Sequence, residues 1–267
     1  MNLYIICCYT GKYHNNVQEV ITLLNNFNFI TLIIINQTSN SVPTFEVYNE
    51  VVTDNIGVSK SRNIGLKIAN NLSKSNNDYI YFWDEDIIIT KEIINSFKTI
   101  SNLYNYDAII YAIKGISGGK IGNNLIHFKL FRFLNAYRLG NPSFIFNLNK
   151  IRIDFDEKIG PGKKPIIAAE DTLFVLKNNF YKFFIPDIKI NFIHPDAEEI
   201  NNIDKIYNYS ISQGFIASKL RIIYKIIFIL IVLHRPVLGL FLNFKNSKLY
   251  RLRIYGFIYG YKKSFNF

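Results

Sequence analysis

Apolar positions along the first part of the chain follow two alternating patterns. Short unbroken runs, LYIICCY (3–9), FITLIIIN (29–36), YIYFW (79–83) and DAIIYAI (107–113), have no polar gaps. A run of that kind predicts a strand covered on both faces. Between them lie stretches with apolar residues at helical spacing. NVQEVITLLNNF (16–27) carries Val17, Val20, Ile21, Leu23, Leu24 and Phe27, and VSKSRNIGLKIANNLS (58–73) carries Ile64, Leu66, Ile68, Ala69 and Leu72. TKEIINSFKTISNLY (90–104) reads as a third helix, opened by Thr90. Strands alternating with helices predict an α/β domain: a mostly parallel sheet with helices on both faces. Ligands of such sheets bind beyond the carboxyl ends of the strands. QTSNSVP (37–43) is turn-rich, and the glycine-rich KGISGGKIGNN (114–124) reads as a loop. No internal repeat and no glycine-rich linker interrupts residues 1–200.

After about residue 204 the pattern changes. Residues 217–267 mix apolar blocks with basic residues, and the longest unbroken hydrophobic run, Ile226 to Leu233, has eight residues. A spanning helix needs about 20. Lys225 precedes that run, and His234, Arg235 and Pro236 follow it. The expectation is a domain at 1–204 and a C-terminal region at 205–267 made of basic amphipathic helices in the interface of an anionic bilayer. A buried core helix and a transmembrane helix tolerating Arg235 are the other readings.

Charge sharpens this division. Residues 1–204 hold 20 Lys/Arg and 20 Asp/Glu, whereas residues 205–267 hold 11 Lys/Arg and no acidic residue. The whole formal excess of +11 therefore lies in the last 63 residues. Its basic residues are interleaved with Ile, Leu and Phe, which favours an anionic membrane surface over nucleic acid. The composition, 49% hydrophobic and 16% aromatic, is that of a globular chain and excludes a disordered one. Cys7 and Cys8 are the only cysteines and are adjacent, a poor geometry for a disulfide, which fits a reducing compartment. The N-terminus MNLYIICCYTGKY has no basic region ahead of its short apolar run and reads as a first strand.

Four constellations carry candidate chemistry. Asp84-Glu85-Asp86 ends the strand YIYFW. An Asp-x-Asp there puts two carboxylates on one side, a hard-oxygen set suited to Mg²⁺ or Mn²⁺ with phosphate oxygens completing the shell. A solvated acidic turn is the competing reading. DNIGVSKSRNIGL (54–66) leads through Gly57 into a helix start with Ser59, Lys60, Ser61 and Arg62, an arrangement that favours an anion. A capped surface helix fits too. Glu170-Asp171 opens an apolar helix, as dipole compensation or as a general base held on a stiff element. His194 follows a short strand and precedes Pro195, as a structural histidine or a further metal ligand. His14, His127 and His234 have no supporting context.

These segments, in this order, resemble the family 2 glycosyltransferases, whose GT-A fold is a Rossmann-like α/β architecture; the resemblance covers roughly residues 1–200. NIGVSKSRNIGLKIA and YIYFWDED are similar to the family's Asn-x-Gly-x-Ser-x-(Ala/Ser)-Arg-Asn block and its DxD strand. GNPSFIFN and FDEKIGPG…AAEDTLF are similar to its acceptor-side block and Glu-Asp motif. The resemblance implies Asp86 as ligand of a Mn²⁺ or Mg²⁺ ion on the donor diphosphate, with His194 as a further ligand. It implies Asp84 at the nucleotide ribose, and Arg62, Asn55, Tyr9 and Thr10 lining the nucleotide pocket. It implies Asp171 as the base that deprotonates the acceptor hydroxyl and Glu170 as the residue that positions the acceptor. Asn36 and Gln37 stand where many members carry an Asp that reads the base, which leaves uracil selectivity open. Glu85 is expected to be a variable middle residue pointing away.

The function so implied is inverting, metal-dependent transfer of a sugar from a nucleoside-diphosphate sugar, UDP-sugar first. The acceptor is a hydroxyl of a growing surface glycan (capsule, lipopolysaccharide or O-antigen), which a basic membrane-associating tail allows to be lipid-linked. The expected location is peripheral, at the cytoplasmic face of the inner membrane, with no nucleic-acid partner. A sugar-phosphate nucleotidyltransferase is the other enzyme class, although YTGKYHNN is a poor substitute for its glycine-rich first loop. A non-catalytic glycan-binding scaffold is the non-enzyme alternative.

Overall fold

The computed structural model describes residues 1–38, 44–45, 49–54, 57–100, 106–116, 120–121, 141–161, 163, 166–180, 182–185, 191–194, 203–242 and 247–263. The chain divides into two compact units, Met1–Asp156 with Phe174–Ala197, and Glu157–Leu173 with Glu198–Phe267. The second unit thus joins the C-terminal helices to residues 157–173, which the sequence alone assigns to the first domain.

In chain order the elements are β1 (Leu3–Tyr9), α1 (His14–Leu24), β2 (Ile30–Asn36), β3 (Glu50–Val52), α2 (Val58–Leu72), β4 (Tyr79–Trp83) and α3 (Lys91–Ile100). Then come β5 (Ala108–Ile110), β6 (Ala112–Gly115), β7 (Lys120–Ile121), β8 (Phe144–Asn147), α4 (Glu170–Lys177), β9 (Phe183–Phe184) and β10 (Asn191–His194). The main sheet has seven strands in the order β3-β2-β1-β4-β8-β5-β9. It is parallel except for β8, which runs antiparallel to both β4 and β5. A second sheet, β10-β6-β7, has three strands.

The unbroken apolar runs have the expected cause. On β1, Leu3, Ile5, Cys7 and Tyr9 face one way and pack with Val17, Val20 and Leu24 of α1 and Ile93, Ile94 and Phe97 of α3. Tyr4 and Ile6 face the other way, with Leu66 and Ala69 of α2, Phe155 and Phe174. With period two and both faces covered, no position is left for a polar residue. Cys7 and Cys8 are buried thiols outside any disulfide.

Two expectations are corrected in this unit. DAIIYAI is not one strand: it breaks at Tyr111 into β5 and β6, which belong to different sheets. Tyr111 is buried, its N–H donates to the Ser143 carbonyl at 2.9 Å, and its hydroxyl lies 3.1 Å from Ser96 Oγ. Because both halves are apolar, the run carries no mark of the break. The glycine-rich loop also contains structure, since β6 and β7 pair antiparallel through Ile113↔Ile121 and Lys114↔Lys120. Residues 117–119 and 122–124 of that stretch lie outside the described residues.

The second unit contains α5 (Ile203–Lys219), α6 (Ile222–Leu242) and α7 (Ser247–Lys263). The backbones of α5 and α7 meet directly. A Cβ on Gly214 would sit 1.9 Å from the Phe257 carbonyl oxygen, and one on Gly260 would sit 1.9 Å from that of Ile211. Only glycine permits that approach. The α6 helix runs on through Pro236. Its stretch Ile222–Phe241, 20 residues with mean hydropathy 1.9, is among the described residues the one long and apolar enough to cross a membrane.

Candidate active site

The carboxyl ends of β1, β2 and β4 lie along one edge of the main sheet, because Tyr9 pairs with Asn36 and Cys7 with Trp83 in register. Beyond them come Thr10, Gln37 and the acidic turn that starts at Asp84. The turn is closed by the Ile87 N–H donating to the Asp84 carbonyl at 2.9 Å. The start of α2 joins this edge: Gly57, at φ 138°, donates its N–H to Gln37 Oε1 at 2.9 Å.

Arg62, one turn into α2, is buried, and its Nη2 donates to Asp84 Oδ1 at 2.9 Å. Its guanidinium also stacks over the Phe155 ring, 5.3 Å from the centroid. Its side chain is 3% exposed and that of Asp84 36%, so the pair has one dry end and one wet end. A buried guanidinium needs such a partner, and removing Asp84 would leave it desolvated without a counter-charge. Arg62 is thus a protein cation set against the acidic run, alongside any ion bound there.

Glu85 does not point away, which corrects the expectation. It is buried at 8% exposure. Its Oε2 accepts the Thr10 N–H at 3.2 Å, and its Oε1 accepts the Thr10 hydroxyl. Asn16 Nδ2 donates to the carbonyls of Glu85 at 2.6 Å and Ile87 at 3.2 Å, and Trp83 Nε1 donates to the same Ile87 carbonyl at 2.8 Å. The middle acid is therefore the clamp that ties the acidic turn to β1 and α1. Asp84 and Asp86, on either side of it, remain partly exposed.

Field effects match this arrangement. The Tyr81 hydroxyl, which donates to the Pro142 carbonyl at 3.1 Å, titrates well above the ordinary tyrosine range. Burial is the main cause, and the charges of Asp84 and Asp86 add to it against the opposing Arg62. Burial likewise pushes the Cys7 thiol up, helped by Cys8, Glu85 and Asp84. The turn is thus a source of negative potential suited to a cation.

The remaining sequence-derived residues fall as follows. Thr10 is exposed, and its hydroxyl is engaged by Glu85. Tyr9 is buried, its hydroxyl 2.8 Å from His14 Nδ1. His14, without supporting context in the sequence, stacks on Phe45 at 5.3 Å. Asn55 lies outside the described residues. His194 ends β10, and the Ile193 carbonyl before it accepts the Ile88 N–H at 2.8 Å, two residues past Asp86. Glu170 and Asp171 open α4 in the second unit; Glu170 is buried and Asp171 partly exposed. Among the described residues no three His, Cys, Asp or Glu side chains group closely enough to form a metal cage by themselves. One or two carboxylates beside a diphosphate suffice for Mg²⁺ or Mn²⁺, so the acidic turn fits an ion held largely by substrate oxygens.

Comparison with solved structures identifies this architecture. The S. aureus protein TarS, residues 1–349, matches with a TM-score of 0.66 at 16% identity, over 98% of this chain and 82% of that one. The chain has the GT-A fold. The complex of TarS 1–349 with UDP-GlcNAc matches with a TM-score of 0.66 at 16% identity, covering 97% of this chain and 81% of that one. Its complex with UDP matches with a TM-score of 0.65 at 15% identity, over 99% and 90%. No family model matches the chain, and no curated protein matches it by sequence. In the GT-A fold described here, the Arg62–Asp84 pair and the Glu85 clamp stand at the carboxyl edge of the sheet, where α/β sheets bind ligands.

Proposed function

We propose that the chain is an inverting, metal-dependent glycosyltransferase that moves a sugar from a UDP-sugar to a hydroxyl of a surface glycan. The observation that carries this reading is the acidic turn itself. It presents Asp84 and Asp86 at the ligand edge of a GT-A sheet, with Arg62 buried behind them. TarS, which shares the fold, has been solved with UDP-GlcNAc and with UDP. That supports a nucleotide sugar as donor and makes UDP-GlcNAc the first to test.

Each residue has one task in the reaction. Arg62 and Asp84 orient the nucleotide side of the donor, with Tyr9 and Thr10 at the same edge; Asn55 is assigned to the same task on the family resemblance alone. Asp86, with His194, would hold Mn²⁺ or Mg²⁺, which supplies positive charge to the departing diphosphate. Asp171 accepts the proton of the acceptor hydroxyl, whose oxygen forms the new bond to the anomeric carbon. The bond from that carbon to the diphosphate oxygen breaks, and UDP leaves with its electron pair. A single displacement from the opposite face inverts the anomeric centre. Glu170 orients the acceptor.

Membrane contact belongs to the same reading. The α6 helix packs Phe228 and Pro236 inward and leaves Ile222, Ile226, Leu230, Leu238 and Phe241 exposed. One covered face and one bare apolar face suit a helix lying in a bilayer interface, and the wholly basic charge of residues 205–267 suits an anionic one. The enzyme then sits peripherally at the cytoplasmic face of the inner membrane, where a lipid-linked acceptor is within reach.

The test is release of UDP from a panel of UDP-sugars by the purified chain, with and without Mn²⁺, beside Asp86→Asn. The wild type should release UDP from at least one sugar only with the metal, and the variant should not. Metal-independent release, or normal activity in Asp86→Asn, overturns the metal assignment.

A further inference from the structure

The segment that leads into Glu170 and Asp171 belongs to the helical unit and is hydrogen-bonded to α5 at Ser212. Ser212 lies on α5, buried at 2% exposure. Its hydroxyl donates to the Asn208 carbonyl at 3.2 Å, which leaves its oxygen free to accept, and it accepts the Ala168 N–H at 3.2 Å. The next residue, Ala169, has φ 101°, a left-handed conformation that a residue with a Cβ rarely adopts. Ala169 then starts α4, its carbonyl accepting the Leu173 N–H at 2.9 Å. An uncommon backbone conformation persists only where the surroundings over-determine it.

The surroundings here are stiff. Ser212 lies between Ile211 and Gly214, two of the α5 positions where the α5 and α7 backbones meet most closely. Ahead of Ala168 the chain closes on itself, with the Gly160 N–H on the Ile166 carbonyl at 2.9 Å and the Lys163 N–H on the Gly160 carbonyl at 3.0 Å. A self-closed loop, one cross-link to a rigid helix crossing and one strained residue lead in sequence directly to Glu170.

We propose that Ser212 is a positioning residue for Asp171: through its bond to the Ala168 N–H, the α5–α7 crossing holds Ala169 left-handed and fixes how the first turn of α4 presents the carboxylate. The inference rests on the reading of Asp171 as the base. It also gives the C-terminal helices a part in the chemistry beyond any contact with a membrane.

Two variants test it. Ser212→Ala removes the acceptor and lowers the melting temperature. Ala169→Gly relaxes the left-handed residue without touching Ser212, and its melting temperature stays level or rises. Both are assayed with the UDP-sugar that the wild type turns over fastest. The expected result is a fall in kcat of about tenfold or more in both, with KM for the donor unchanged, as misplacement of a reacting group by a fraction of an ångström brings. A kcat that follows the melting temperature, falling in Ser212→Ala and holding in Ala169→Gly, overturns the proposal, and so does wild-type kcat in both. Absence of turnover by the wild type overturns instead the reading of Asp171 beneath it.

Discussion

The acidic turn after β4 and the first turn of α4 both present carboxylates, and they hold them by different means. At the sheet edge Arg62 holds Asp84 and Thr10 holds Glu85, with Asn16 on the turn's carbonyls. Ahead of α4 the Ala168 N–H is bonded to Ser212 and Ala169 is left-handed, backed by helices packed glycine to carbonyl. Polar pinning suits a site that must keep its geometry against its own charge repulsion. Backbone-to-backbone packing suits a platform that fixes a segment yet leaves an apolar face, that of α6, bare. In the proposed function the sheet unit would grip a charged donor and the helical unit would present the base.

This division can be broken from either side. The largest effect is expected on the helical unit. Replacing Ile226, Leu230 and Phe241 together by Ser removes three large apolar side chains from the exposed face of α6, each worth about 1.5–3 kcal/mol when buried in lipid. In flotation with anionic vesicles the variant should move from the lipid to the soluble fraction, with UDP affinity unchanged. Retention on the vesicles would show that another surface makes the contact. A smaller effect is expected on the sheet unit. Glu85→Ala removes the acceptor of the Thr10 N–H and hydroxyl, a loss of about 0.5–1.5 kcal/mol in thermal or denaturant unfolding, since exposed Thr10 can turn to water. It should weaken UDP binding and leave vesicle binding as it was, and Glu85→Gln, which keeps one acceptor oxygen, should lose less. Equal UDP affinity in Glu85→Ala would return Glu85 to the replaceable residue that the sequence suggests.

Much of the sheet unit was legible because its pattern is local. LYIICCY and YIYFW become β1 and β4 with the expected ends, and the helix read at 58–73 is Val58–Leu72. Period and turn residues suffice there, since both faces of each strand are buried. What stayed hidden depends on distant partners. Glu85 looked expendable because Thr10 is 75 positions away, and Asn16 gave no signal because the carbonyls it binds carry no side-chain signature. The break at Tyr111 was invisible because both flanking strands are apolar. The abrupt change of charge at 205 marks the region 205–267 as a separate appendage in the sequence. Charge says nothing about packing, and Ser212 places that region against the Glu-Asp segment. Pro236 and Arg235 cut the apolar run in the sequence, yet α6 continues past them to Leu242.

The central claim is that one unit grips the donor while the other supplies the base, and Asp171→Asn tests it most directly. UDP affinity by calorimetry with Mn²⁺ present should match the wild type, while kcat for sugar transfer falls by about 10²–10⁴-fold, the range that positioned general bases contribute. Loss of UDP binding in that variant, or transfer at the wild-type rate, would contradict the account.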